Sequence, residues 1–109
     1  MRIGAAAPAD PLTSPASPLR VERLAAGRVR IWITYDENAS RLEIAGDWNN
    51  WVPFPLRYEG SGLWSIELRL ESGMYKYALL VDGEHWTVPA GAPTLPDDLG
   101  GKVGLLTVR

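Results

Sequence analysis

The sequence predicts an all-β protein, an antiparallel β-sandwich of six or seven short strands. Three observations carry that prediction: apolar and polar residues alternate with a period of two in several runs, turn-forming residues recur every eight to twelve positions, and no convincing amphipathic helix is present. In "RVRIWITY", Val29, Ile31 and Ile33 alternate with Arg28, Arg30, Trp32 and Thr34. "DENAS" (36–40) is turn chemistry, and "RLEIAGD" then resumes the alternation with Leu42 and Ile44, so these two strands are expected to form a hairpin. "EGSG" (59–62) signals a second hairpin leading into "LWSIELRL", where Trp64, Ile66, Leu68 and Leu70 share one face and Ser65, Glu67 and Arg69 the other.

"MYKYALLV" places Tyr75, Tyr77, Leu79 and Val81 on one side and Met74, Lys76, Ala78 and Leu80 on the other. Partial covering of both faces marks a central strand. Asp82-Gly83 is a strong hairpin signal. It precedes a short strand at Trp86-Thr87-Val88, a loop from Pro89 to Gly101 rich in proline and glycine, and a last strand, "VGLLTV". "RVERLAAG" (20–27) is too short and too poorly capped for a helix and is expected to be a turn.

At 109 residues the chain forms one domain with a single modest core. Residues 1–19 hold four of the nine prolines (Pro8, Pro11, Pro15, Pro18) among alanine and serine and read as a flexible linker, leaving 20–109 as the folded domain. A linker implies a neighbouring domain or partner protein. Eleven basic and thirteen acidic side chains give a net charge of -2 without like-charge runs, which argues against nucleic-acid and membrane-surface partners. Neither a secretory signal nor a spanning segment is evident, and a cytoplasmic location is expected. Cysteine is absent and His85 is the sole histidine, so thiolate metal sites, disulfides and cysteine nucleophiles are excluded and a multi-histidine site is hard to build. No cofactor and no metal is expected.

"GDWNNW" (46–51) sets two of the five tryptophans around a pair of asparagines. The asparagines are first of all turn residues. Trp48 follows an inward-alternating strand and is expected in the core, as is Trp64, whereas Trp51 follows the turn and is expected to be exposed. On the residues alone, Trp86 suits core and surface about equally. Trp32 falls on the polar face of its strand, where an edge contact, a domain interface and a covering by the linker are all open.

The order "AGDWNNW", "PL", "GLWSIELRLESGMYKYALLVDGEHW" and "PDDLGG" resembles carbohydrate-binding module family 48 over about Val29 to Val108. That family comprises the N-terminal domains of isoamylases and branching enzymes and the glycogen-binding domain of the AMP-activated protein kinase beta subunit. The resemblance implies an immunoglobulin-like sandwich that binds α-1,4-linked glucan (glycogen, starch or maltooligosaccharides) without chemistry of its own. It implies a sugar platform of Trp51 and Trp86, with Leu99 packing beside them and Lys76 and Asn50 supplying hydrogen bonds. The chain departs from the glycogen-binding members at Ala78, where they carry lysine, and at Gly101 and Val103, where threonine and asparagine are typical. Its "DGEHW" turn is also one residue longer than in the kinase members. Lys76 lies on the same strand face as Ala78, about 6 to 7 Å along the strand, and partly replaces the missing ammonium.

Indole suits a pyranose because the sugar offers a face of C–H groups while its hydroxyls point sideways. At roughly 25 cal/mol per Å², covering about 60 Å² per ring gives about 1.5 kcal/mol for each tryptophan. After association costs, dissociation constants between about 10⁻³ and 10⁻⁵ M are expected, enough to tether rather than capture. A hydrolase needs two carboxylates about 5 to 9 Å apart across a cleft. Asp47 and Asp82 instead sit in turns, and Asp97 and Asp98 are adjacent in a loop, where bonding to backbone N–H groups is the expected role. The alternative is a structural or protein-interaction module of the same fold that has lost sugar binding, motivated by Ala78, Gly101 and Val103.

Overall fold

The computed structural model describes residues 18–35, 38–96 and 101–109. Ten strands run in chain order: β1 (Leu19–Arg23), β2 (Arg28–Thr34), β3 (Leu42–Gly46), β4 (Phe54–Pro55), β5 (Arg57–Gly60), β6 (Leu63–Arg69), β7 (Gly73–Val81), β8 (His85–Thr87), β9 (Thr94–Pro96) and β10 (Lys102–Val108). They form two antiparallel sheets, one ordered β1-β2-β6-β5 and the other β4-β3-β7-β10-β9, with β8 also paired to β7. The fold is the antiparallel β-sandwich that the alternation predicts. Besides strands, the only regular element among the described residues is a 3-10 turn at Asp47–Asn49, and no helix there is long and apolar enough to cross a membrane.

The core follows from period-two alternation on facing sheets. Val29, Ile31 and Ile33 of β2 meet Leu42 and Ile44 of β3, Tyr77, Leu79 and Val81 of β7, and Leu106 and Val108 of β10, all almost fully buried. Each such side chain contributes about 1.5–3 kcal/mol of transfer free energy. β7 is central, with β3 along one side and β10 and β8 along the other. The β5–β6 and β7–β8 hairpins form as the turn residues predict. Asp82 (φ 53) and Gly83 (φ 70) both take the left-handed conformation, the Glu84 N–H closes the turn on the Val81 carbonyl at 2.9 Å, and the pairing Val81↔His85 leaves a loop of three residues.

Three expectations are corrected. β2 and β3 are not a hairpin: β2 pairs with β1 and β6, and β3 with β4 and β7, so the chain crosses between sheets. Alternation shows that each strand buries one face, which is equally true of paired strands and of strands on opposite sheets. The segment 20–27 is not merely a turn, because Arg20–Arg23 belong to β1 and pair with β2 from Arg20↔Trp32 to Arg23↔Val29. Its alternation spans five residues and is blurred by Leu24-Ala25-Ala26, so pairing is imposed by the neighbouring strand. Finally, the 89–101 segment contains β9, a three-residue edge strand opposite β10. Proline is tolerated there because an edge strand leaves one row of N–H groups unpaired.

Candidate functional site

The "GDWNNW" segment leaves β3 and is fixed by its own polar side chains. The Asn49 amide accepts a hydrogen bond from the Gly46 N–H (3.0 Å) and donates one to the Val52 carbonyl (2.8 Å). Backbone bonds from Trp51 N–H to the Gly46 carbonyl and from Val52 N–H to the Asn49 carbonyl close the loop. The Asp47 carboxylate accepts the backbone N–H of Lys76 at 2.9 Å, tying the loop to β7.

Trp48 turns back against the core and meets Tyr75 edge-on, with ring centroids 6.1 Å apart at 77°. Its ring lies over Gly46, where a Cβ would come within 2.4 Å of the indole and 2.6 Å of the Lys76 carbonyl. Asn50 (φ 56) and Trp51 (φ 61) then both adopt left-handed backbone. Asparagine tolerates this conformation; tryptophan pays about 1–2 kcal/mol for it. The consequence is an indole on the surface, 38% exposed, joined by the exposed Val52 and Phe54.

Trp86 stands on β8 directly opposite Leu80 of β7 and is 51% exposed. Cross-strand partners share a face, so Trp86 lies on the outer face of this sheet with Lys76, Ala78 and Leu80. Along that face Ala78 faces Ala45, and Glu43 stands opposite Leu80. Lys76 is exposed and makes no ion pair among the described residues. The loop carrying Asn50 and Trp51 is therefore anchored at Lys76, and Trp86 stands beside Leu80, about 13 Å further along β7. Leu99, Asp97 and Asp98 lie outside the described residues. Gly101 is exposed, and Val103 is nearly buried opposite Leu95.

The remaining tryptophans are accounted for. Trp64 is 6% exposed and belongs to the core. Trp32 is half-buried under its own neighbours: its Nε1–H donates to Glu22 of β1 at 3.1 Å, and the Arg30 guanidinium lies 5.6 Å from its ring centroid. Arg30 also binds Glu67, which raises the Arg30 pKa and lowers that of Glu67. Asp82 accepts the N–H groups of Ser40 (2.7 Å) and Arg41 (2.8 Å), which fixes the turn leading to Trp86. No three histidine, cysteine or acidic side chains gather to hold a metal among the described residues.

Sequence reasoning read Asn49 as a turn residue, which it is, but missed the part played by Asp47. The signal was present, since an aspartate and an asparagine flanking a half-buried aromatic beside a sharp turn are the residues that bond local backbone. Missed too was the reach of Asp47, whose partner is 29 positions away.

Residues 29–109 match the family model described as the glycogen recognition site of AMP-activated protein kinase. The chain is 30% identical over 77 residues to the SNF1-related protein kinase regulatory subunit beta-1 of Arabidopsis thaliana, an alignment covering 71% of this chain and 27% of that protein. It is 36% identical over 66 residues to a 1,4-alpha-glucan branching enzyme, GlgB 2, of Xanthomonas campestris pv. campestris, covering 57% of this chain and 9% of the enzyme. The chain thus spans about a quarter of the kinase subunit and under a tenth of the branching enzyme. By the match over 29–109, and with the sandwich fold in accord, this chain belongs to the family of the AMP-activated protein kinase glycogen recognition site.

Proposed function

We propose that the domain is a non-catalytic module that binds α-1,4-glucan weakly and tethers a linked or partner protein to the polymer. Trp51 and Trp86 stack on the C–H faces of glucose units, Lys76 and Asn50 donate hydrogen bonds to hydroxyls, and Leu99 packs beside them. The observation that carries this reading is the pair of indoles left exposed on either side of β7 in a protein that buries Trp64 and covers Trp32. Between them Ala45 and Ala78 are paired across β3 and β7 and are both buried, while Lys76 on the same face is exposed. Ala78 supplies no ammonium, but Lys76 on the same face makes no ion pair among the described residues and is within reach of a sugar hydroxyl.

Two rings and a few hydrogen bonds support dissociation constants of about 10⁻³ to 10⁻⁵ M. A site of that strength works through multiplicity on a polymer. Native affinity electrophoresis with and without glycogen tests the reading. Retardation by glycogen, lost in Trp51→Ala and Trp86→Ala variants that remain folded, is the expected result. Unchanged migration of the parent chain at high glycogen would instead support an interaction module of this fold without sugar binding.

A further inference from the structure

We propose a second saccharide-binding pocket, separate from the tryptophan surface, at the end of the sandwich where the β2–β3 and β5–β6 connections meet. The concavity there measures about 610 Å³, within the roughly 300–1,000 Å³ range of small-ligand clefts. Its floor is apolar: Tyr35, Leu56 and Trp64 are each less than a tenth exposed. One wall is Tyr58, 56% exposed, which pairs with Trp64 across β5 and β6 and packs on its indole at 4.9 Å and 55°. The Tyr58 hydroxyl accepts the Gly62 N–H at 3.3 Å, so the ring is held against the turn while its body stays open to solvent. This is an aromatic surface with few rotatable bonds, already ordered before a ligand arrives.

The rim decides the class of ligand. Asn38, Ser40 and Ser61 offer one amide and two hydroxyls, and Arg41 is the single charged group of the described lining. The Arg41 guanidinium is met by Glu43 at 3.4 Å, so among the described residues the rim carries no unbalanced charge. A phosphate or carboxylate ligand would find one cation already paired. A neutral polyol with one apolar face fits: its C–H groups lie on Tyr58, and its hydroxyls exchange hydrogen bonds with the amide and hydroxyl rim. The chemistry points to a sugar on its own. That the sugar is the end of an α-glucan chain rests on the function proposed above. The Arg41 N–H is bonded to Asp82, so the pocket rim is tied to the β7–β8 turn that precedes Trp86. Two weak sites on one small domain hold a branched polymer longer than either alone.

Titration with maltoheptaose followed by backbone amide NMR shifts tests this. The expected result is two groups of shifting signals: Asn50, Trp51 and Trp86 at the surface, and Ser40, Ser61 and Gly62 at the pocket. Trp86→Ala should remove the first group and spare the second. Tyr58→Leu, at an exposed position, should weaken the second at least tenfold and spare the first. A pocket group that stays silent in the parent chain and in Trp86→Ala overturns the proposal, as does one that survives Tyr58→Leu unchanged. Pocket shifts without surface shifts would overturn the tryptophan site and leave this one standing. Absence of both groups would overturn both.

Discussion

The Asp47 carboxylate receives the backbone N–H of Lys76, and this single bond fastens the loop bearing Trp51 to the central strand. A hydrogen bond to a charged acceptor contributes about 1.5–3 kcal/mol, and solvent exposure of this pair sets the lower end. Asp47→Ala should therefore lower stability by about 1–2 kcal/mol, read as a reduced urea midpoint at unchanged slope. It should also weaken glycogen retardation, because the indole is no longer held in register with β7. Asp47→Asn keeps a neutral acceptor oxygen and should fall between the two.

Asn50 separates a backbone role from a sugar contact. Its left-handed conformation costs a non-glycine residue about 1–2 kcal/mol, less for asparagine than for alanine. Asn50→Gly should leave the thermal midpoint unchanged or slightly raised, and Asn50→Ala should lower stability by about 1 kcal/mol. If Asn50 bonds a hydroxyl, maltoheptaose affinity falls in both variants. Retention of full affinity by the glycine variant would reduce Asn50 to a turn residue.

The sandwich was legible because its core rows are simple alternations. Val29, Ile31 and Ile33, or Tyr77, Leu79 and Val81, name their faces without any knowledge of partners. Sheet membership was not legible, since Leu42 and Ile44 bury equally well opposite β2 or beside it, and only the ladder with β7 decides. β1 and β9 were hidden for a related reason, being edge strands of three to five residues whose pairing comes from neighbours. The two exposed indoles were foreseen, one from its place after the turn and one from family resemblance. The polar bonds that position them were not, because Asp47–Lys76 and Asp82–Ser40 join residues 29 and 42 apart.

Glycine at 104 is a requirement of packing. A Cβ there would lie 2.3 Å from the Tyr77 ring, which is fully buried and unable to move aside. Gly104→Ala should cost at least about 1–3 kcal/mol through overpacking. Combining it with Tyr77→Leu should recover part of that loss, because the two residues share one space. A double-mutant cycle on urea midpoints should show strong non-additivity.

On the opposite sheet, Glu67 gives a pH-dependent contribution of known sign. Its hydrogen bond to Arg30, with added attraction from Arg30 and Arg28, lowers its pKa below the ordinary 4.5. The folded state therefore binds that proton less readily than the unfolded chain, so the contribution is present above about 4.5 and is lost as pH falls through the lowered value. The stability difference between the parent chain and Glu67→Gln should shrink towards acid pH. High salt should shrink it too, since both partners are exposed.

Tyr77 works at the other end of the scale. Its hydroxyl has no hydrogen-bond partner among the described residues, and burial raises the phenol pKa well above the ordinary 10.0. The unfolded chain can release this proton near pH 10 while the folded chain holds it, so stability falls as pH rises beyond that point, at about 1.4 kcal/mol per unit for this one group. Tyr77→Phe removes that slope. At neutral pH the same change leaves stability equal or raises it by about 1 kcal/mol, because an unpaired hydroxyl leaves the core while the ring over Gly104 remains. Urea melts of both proteins from neutral to strongly alkaline pH should therefore diverge only above about pH 10, with the phenylalanine variant the more stable. Parallel curves across that range would mean that the phenol reaches water in the folded state.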